Sequence, residues 1–322
     1  MNKYSEFKVR PIGSVLTEAK KEVQESRAGR TRVLKTRWKS VNKMLLGGFY
    51  FGQTYLIAGA SGHGKSYLVN MLLRDFANAS INGTLPFQFK ILHFGFEMSA
   101  SAEILRRITS MTGISYTKLL SVENKLSDEQ FESVEKSLVN LRNEEIYFVE
   151  TPGSRFQIYE TIKAFKAKFP DHELVVSVDH MLLVTPEPGE DEIQLQAEVS
   201  KLFIQIRKEF HTMNLLVSQL NDKIEGENRR DPSKPSLHYP TKTDLHGSKQ
   251  GYQAADCVLV IHCPELLNLE YYGKENFPTR GLVALHQIKQ RHGIAGFTLM
   301  RNNLESGTFE DWERPVISYS IP

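Results

Sequence analysis

Short, unbroken apolar runs alternate along this chain with longer stretches whose apolar residues recur at helical spacing. The runs at 54–58 (TYLIA), 90–96 (KILHFGF), 146–150 (IYFVE), 174–179 (LVVSVD), 215–218 (LLVS), 257–261 (CVLVI) and 282–288 show little polar alternation. A strand with one wet face alternates, whereas a continuous run marks a strand covered on both faces, as in a parallel sheet. Between the runs, residues 67–76, 102–111, 127–143, 155–169 and 193–210 have the spacing of crossover helices. The alternation predicts an α/β, doubly wound and mostly parallel sheet with helices on both faces.

Two stretches break the pattern. Residues 14–30 (SVLTEAKKEVQESRAGR) are charged and helical in propensity, with a thin apolar stripe through Val15, Leu16 and Val23, and basic residues crowd after them. This divides the chain into an N-terminal arm or linker helix, 1–36, and one large domain, 37–322. The arm is either solvated or docked on a neighbouring subunit. The polar stretch 222–243 exceeds an ordinary connector, and is either a functional loop or partly disordered.

Composition changes the picture only at its limits. A 322-residue chain with 40% hydrophobic residues can bury a core, and no apolar run nears the roughly 20 residues a membrane helix needs. The N-terminus lacks the apolar segment of a secretory signal. Cys257 and Cys263 are the only cysteines, and flank one apolar run as buried thiols of a reducing cytoplasm would. The formal charge is +2, so any nucleic-acid binding must come from local loops.

The chemistry is concentrated at Gly59, Ala60, Ser61, Gly62, His63, Gly64, Lys65 and Ser66, which read GASGHGKS and fit G-x-x-x-x-G-K-[ST]. An apolar strand leads in and a helix leads out, which is what a phosphate cradle requires. Glycines let backbone N–H groups turn inward, and the helix N-terminus adds its positive end. Lys65 would reach the β and γ oxygens of ATP, and Ser66 would hold Mg²⁺. Hydrolysis needs further groups. Asp179 ends a buried run as a second metal ligand would, or merely caps that strand. Glu97 ends another run, as a base or as the cap of the next helix, and Gln219 ends a third, where a neutral amide could sense the γ-phosphate.

With these residues in place, the chain resembles the DnaB-type replicative helicases of the RecA-like superfamily, from about Trp38 to Phe309. The lead-in NKMLLGGFYFGQTYLIAGASGHGKS, the segment FGFEMSASAEILRR, the strand VVSVDHMLLV, the tetrapeptide SQLN, the stretch TDLHGSKQGYQAAD and the segment KQRHGIAG appear in the family's order. The resemblance implies an ATP-hydrolysing DNA helicase that threads single-stranded DNA through a ring, usually a hexamer, in replication. It places Glu97 on the catalytic glutamate, Arg106 beside the nucleotide, Asp179 in the Walker B position and Gln219 on the γ-phosphate sensor. His246, Gly247, Ser248 and Lys249 fall on the DNA-contacting loop. Lys289 and Arg291 fall on the segment that reaches the neighbour's nucleotide. Lys223, Arg229, Arg230, Lys234 and Lys242 are weaker candidates for the strand.

Three departures stand out. Lys249 replaces the usual glycine after the loop serine, and Leu195 stands where a basic residue is expected. The helical N-terminal collar is absent, so the resemblance is to a phage-type motor core, and primase or loader contacts made through the collar do not carry over. The competing reading is a RecA-like recombinase or mediator that uses ATP as a switch without unwinding. The pair Lys289 and Arg291 and the loop LHGSKQ favour the ring motor, and closed rings against open filaments would separate the two. A metabolic kinase on the same fold lacks a segment for a small-substrate lid.

Overall fold

The computed structural model describes residues 9–247, 249–291, 293–303, 306–312 and 317–318. Two compact units divide the chain, the first ending at Val33 and the second running from Leu34. In the first unit, helix α1 (Ile12–Arg27) buries no residue, and Ile12, Leu16 and Val23 are all exposed. Leu34 is fully buried in the second unit's core, and Arg37 pairs with the buried Asp75.

The second unit is built on one ten-stranded sheet. Its strands are β1 (Thr54–Gly59), β2 (Phe89–Gly95), β3 (Ile146–Val149), β4 (Glu173–Asp179), β5 (Met213–Gln219), β6 (Cys257–His262), β7 (Leu282–Gln290), β8 (Gly296–Asn303) and β9 (Thr308–Asp311). They lie in the order β9-β8-β7-β6-β1-β5-β4-β2-β3, and the short strand Ile317–Ser318 pairs with β8. From β6 to β3 all neighbours are parallel. The crossover helices are α3 (Lys65–Ala77), α4 (Ala100–Thr112), α5 (Asp128–Leu141), α6 (Arg155–Lys168) and α7 (Glu192–Phe210), with α2 (Lys39–Met44) ahead of β1 and α8 (Lys249–Ala254) ahead of β6.

The pleat explains why β1 reads as continuously apolar. Tyr55 and Ile57 join one core cluster with Leu68, Leu72 and Phe76 of α3. Leu56 and Ala58 join another with Val199, Phe203 and Ile206 of α7 and Ile158 and Ile162 of α6. Successive side chains point to opposite faces, and both faces are covered. Helix ends are set locally: Ser127, Ser154 and Asp191 each form a capping box, with Gln130, Gln157 and Gln194 returning the bond.

One expectation needs correction. The run at 282–288 reads like the parallel strands, but β7 is antiparallel to both β6 and β8, and begins an antiparallel extension. Its faces are covered too, so its hydrophobicity resembles that of its parallel neighbours. One of those faces meets a third cluster that includes Tyr239, Tyr272, Phe277 and Phe297. Hydrophobic continuity reports burial and not direction, and residues 263–281 between β6 and β7 hold no crossover α-helix to return the chain for a parallel strand. Leu195, where a basic residue was expected, is buried in the α7 cluster.

Candidate nucleotide site and its opposite edge

Strand β1 delivers the phosphate loop to the carboxyl edge of the sheet, where doubly wound folds bind ligands. Gly59 pairs with Gln219 and Ala58 with Val260, so the loop emerges between β5 and β6. Two glycines are demanded for different reasons. A Cβ on Gly59 would lie 2.7 Å from the Ile261 side chain and 2.9 Å from its carbonyl oxygen. Gly64 has φ of +89° and caps α3, a backbone state that L side chains rarely adopt. The Lys65 ammonium donates to the Ala60 carbonyl at 2.9 Å, folded along the loop it would serve. Burial lowers the pKa of Lys65, and the carboxylates of Asp179 and Glu97 oppose that shift.

Ser66, Glu97 and Asp179, with Asn70, His93, Met98, Glu103 and Arg106, line one narrow cleft beside that loop. The Ser66 side chain faces Asp179 across this cleft, and Asp179 Oδ1 is buried without a hydrogen-bond partner. Burial raises the pKa of Asp179, and the nearby Ser66 hydroxyl partly offsets the rise. A hydroxyl beside an unpartnered carboxylate oxygen is a hard oxygen donor set, which fits a magnesium ion. The Phe96 N–H donates to the Asp179 carbonyl at 2.8 Å and ties the start of the Glu97 segment to β4. Glu97 itself is exposed to solvent within the cleft. The Arg106 guanidinium lies over the Tyr67 ring, 4.4 Å from its centroid.

Sequence reasoning missed what stands behind this cleft. His93 Nε2 meets Glu103 Oε1 at 2.9 Å, Arg107 Nε donates to Asn70 Oδ1 at 2.8 Å, and Arg107 reaches Glu144 at 2.9 Å. A Cβ on Gly95 would lie 2.5 Å from Glu103 Oε1, so glycine there makes room for the pair. The adjacent arginines thus divide their work: Arg106 faces the cleft, and Arg107 is buried as a brace. The only signal in the sequence was a charged residue recurring on the inner face of α4.

At the end of β5, Gln219 links the nucleotide edge to the candidate DNA loop. Its carbonyl accepts the His246 N–H at 2.9 Å, and the Asn221 N–H donates to the Asp244 carbonyl at 2.7 Å. Gly247 has φ of +64°, and a Cβ there would lie 2.9 Å from the Gln196 amide. His246 Nδ1 is 3.3 Å from that same amide. Ser248 lies outside the described residues, and Lys249 opens α8. Among the weaker candidates, Arg229 is an internal brace, donating to both Asp244 oxygens and to the Tyr239 carbonyl at 2.7 Å. Lys234 pairs with Asp231, whereas Lys223, Arg230 and Lys242 are not buried.

Lys289 and Arg291 stand at the far edge of the sheet. Gln290 pairs with Cys257, and Cys257 pairs with Tyr55 at the start of β1. Four further residues of β1 reach Gly59, about 13 Å along the strand at ~3.3 Å per residue. The pair therefore lies remote from its own phosphate loop. The Lys289 ammonium lies 5.0 Å from the Tyr252 ring centroid and donates to the Tyr252 and Gln253 carbonyls. Burial pushes its pKa down to about 8. Arg291 Nε is 3.1 Å from Asp256 Oδ1, and Arg207 binds the other Asp256 oxygen. Half of the Arg291 side chain remains exposed.

The cysteines are free and buried, and burial raises both thiol pKa values, that of Cys263 to about 12. No helix among the described residues is long and apolar enough to cross a membrane.

A probable plasmid replicative DNA helicase from Chlamydia muridarum is 25% identical over 215 residues, covering 66% of this chain and 44% of that protein. The replicative DNA helicase DnaB of Haemophilus influenzae is 22% identical over 238 residues, covering 73% of this chain and 47% of that protein. The chain thus spans about half the length of the curated relatives it matches. Among solved structures, one isolated ATPase domain superposes with a TM-score of 0.77 over 95% of this chain and all of that one, at 18% identity. A DnaB-like replicative helicase solved for its interactions with primase gives the same score over 95% of this chain and 68% of that one, at 19% identity. At such identity the superpositions speak for the RecA-like fold alone. The model of the DnaB-like helicase C-terminal domain matches residues 33–311, and the chain belongs to that family.

Proposed function

We propose that this chain is the ATP-hydrolysing motor of a ring-shaped replicative helicase that moves along single-stranded DNA. One observation carries the reading: Lys65, Ser66, Glu97 and Asp179 gather at one edge of the sheet, while Lys289 and Arg291 stand at the opposite edge. A residue set split across about 13 Å of strand cannot close on one nucleotide within a subunit. It can do so between two copies placed edge to edge, and a closed ring, usually of six, satisfies every interface.

In this reading Lys65 neutralises the β and γ oxygens of ATP, and Glu97 accepts a proton from the attacking water. Bound Mg²⁺, held by Ser66 and Asp179, supplies positive charge to the phosphate oxygens. The neighbour's Arg291 guanidinium meets charge that develops on the γ-phosphoryl group. The Gln219 side-chain amide reads that group, and the main-chain carbonyl of the same residue already holds the His246 N–H. A shift of β5 therefore moves residues 246–249 against the strand, with Lys249 meeting a backbone phosphate. Each phosphate neutralised on single-stranded DNA adds a salt slope of roughly −0.7, so Lys249→Ala should flatten the slope. α1 offers an apolar stripe to a neighbouring copy. The work would be done in the cytoplasm, and primase, which one DnaB-like relative binds, is a candidate partner.

The test is complementation. Lys65→Ala and Arg291→Ala proteins are each expected to be inactive, and mixing them should restore hydrolysis at interfaces with one intact loop and one intact arginine. No recovery in demonstrated mixed oligomers would defeat the shared site. Open filaments on DNA in place of closed rings would favour the recombinase reading.

A further inference from the structure

The phosphate loop contains a histidine that the nucleotide chemistry does not use. His63 is buried, and its ring stacks on His262 with centroids 5.6 Å apart and planes tilted by 21°. Its Nδ1 lies 3.1 Å from the backbone nitrogen of Cys263. That nitrogen can only donate, so Nδ1 is the acceptor and the ring is neutral. The Cys263 thiol in turn donates to the His63 carbonyl at 3.4 Å. Loop and strand end thus exchange two bonds, one through the side chain and one through the main chain of the same residue.

The anchor is itself fixed. Cys263 follows directly on β6, and His262 Nδ1 is 2.9 Å from the Tyr272 hydroxyl, which lies 2.7 Å from His286 Nε2 on β7. Tyr272, His262 and His286 are fully buried. A loop whose φ values at Gly62 and Gly64 are both left-handed carries little rigidity of its own. Its shape must be imposed from outside.

We infer that His63 is a positioning residue, which accepts the Cys263 N–H and so holds the phosphate loop in its nucleotide-binding shape before ATP arrives. This rests on the nucleotide reading above and adds to it the residue that pre-organises the cradle. Preorganisation acts on affinity, because a loop that must first be ordered binds more weakly. The effect should therefore fall on the dissociation constant and KM, with kcat little changed.

The experiment compares substitutions at one position. His63→Asn places an amide oxygen close to where Nδ1 stands and keeps the acceptor. His63→Phe keeps the ring and removes it, leaving the buried Cys263 N–H unpaired. Binding of a fluorescent ATP analogue and steady-state hydrolysis are measured on the full chain. His63→Phe should weaken binding about tenfold, the scale of one buried hydrogen bond, and His63→Asn should stay within about threefold of wild type. If His63→Phe fails to fold, His63→Gln, with its oxygen one bond too far, takes its place with the same expectation. Wild-type affinity in His63→Phe overturns the inference, as does an Asn variant no tighter than Phe, or a loss confined to kcat. Lys65→Ala is the control. If it binds the analogue normally, the nucleotide reading fails; if it loses binding while His63→Phe does not, only the role of His63 fails.

Discussion

Asp179 and Asp256 are both nearly inaccessible to solvent, both border a strand of the same sheet, and could hardly be treated more differently. Asp256 sits at the amino edge, where Arg207 and Arg291 flank its carboxylate and the Thr54 N–H donates to it at 2.9 Å. Asp179 sits at the carboxyl edge with an orphaned oxygen and no cation paired to it among the described residues, and burial raises its pKa. Buried charge without full pairing is costly, and proteins tolerate it where a ligand completes the set. The amino edge is finished as a structure, whereas the carboxyl edge keeps an unpaired carboxylate beside the cleft proposed to take the nucleotide.

Four measurements would break or sharpen this contrast. The largest effect is expected at the open edge, from Glu97→Gln. Hydrolysis should fall by about 10²- to 10⁴-fold, the usual contribution of a positioned base, while analogue binding persists. Lost binding would make Glu97 structural, and erase the distinction between the edges.

At the finished edge the cost should appear in stability. Asp256→Ala leaves the partly buried Arg207 and the Thr54 N–H unpaired, and urea denaturation should register a loss of about 3–5 kcal/mol. Arg291→Ala, with its half-exposed side chain, should cost under about 1 kcal/mol. Equal losses would mean that Arg291 is a structural residue, and would weaken its assignment to a neighbouring site.

The buried histidines between these edges give a pH signature. Burial lowers the pKa of His63 to about 4 and of His286 to about 3, and that of His262 well below its usual value. The folded state therefore binds fewer protons than the unfolded one below about pH 6.5, where a free histidine titrates. Stability is fully present above that pH and declines as pH falls toward the folded values. At pH 5 each such histidine should cost about 2 kcal/mol, so the urea midpoint should drop between pH 7 and 5. His286→Gln should flatten that slope; an unchanged slope would show that other groups set it.

The smallest effect is the most diagnostic. Asp179→Asn removes a poorly paired buried charge, so it should raise stability by about 1 kcal/mol. The same substitution at Asp256 should destabilise. If both destabilise alike, Asp179 is paired in solution and the contrast disappears.

The two edges were not equally legible in the sequence. The nucleotide edge was readable because its chemistry is local: glycines, lysine and serine within eight residues, and a carboxylate at the end of each of two apolar runs. Strands were located because burial on both faces writes itself into composition. Direction was not, and β7 runs antiparallel although its residues resemble those of a parallel strand. Nor did the charged stretches separate by role: Arg229 braces Asp244, while Lys223 is exposed.

The sequence by itself determined the glycine-rich loop between strand and helix, the carboxylates that end two apolar runs, and the position of most strands and helices. Each of these rests on neighbours within a few residues, or on a side chain's preference for water. Only the tertiary structure decided that Asp256 is paired while Asp179 is not, that Arg107 supports the cleft Arg106 faces, and that His63 is anchored to Cys263, two hundred residues along the chain. These depend on which strands are neighbours and in what register. Pairing of that kind is set by the packing of the whole sheet, and no short stretch of sequence contains it.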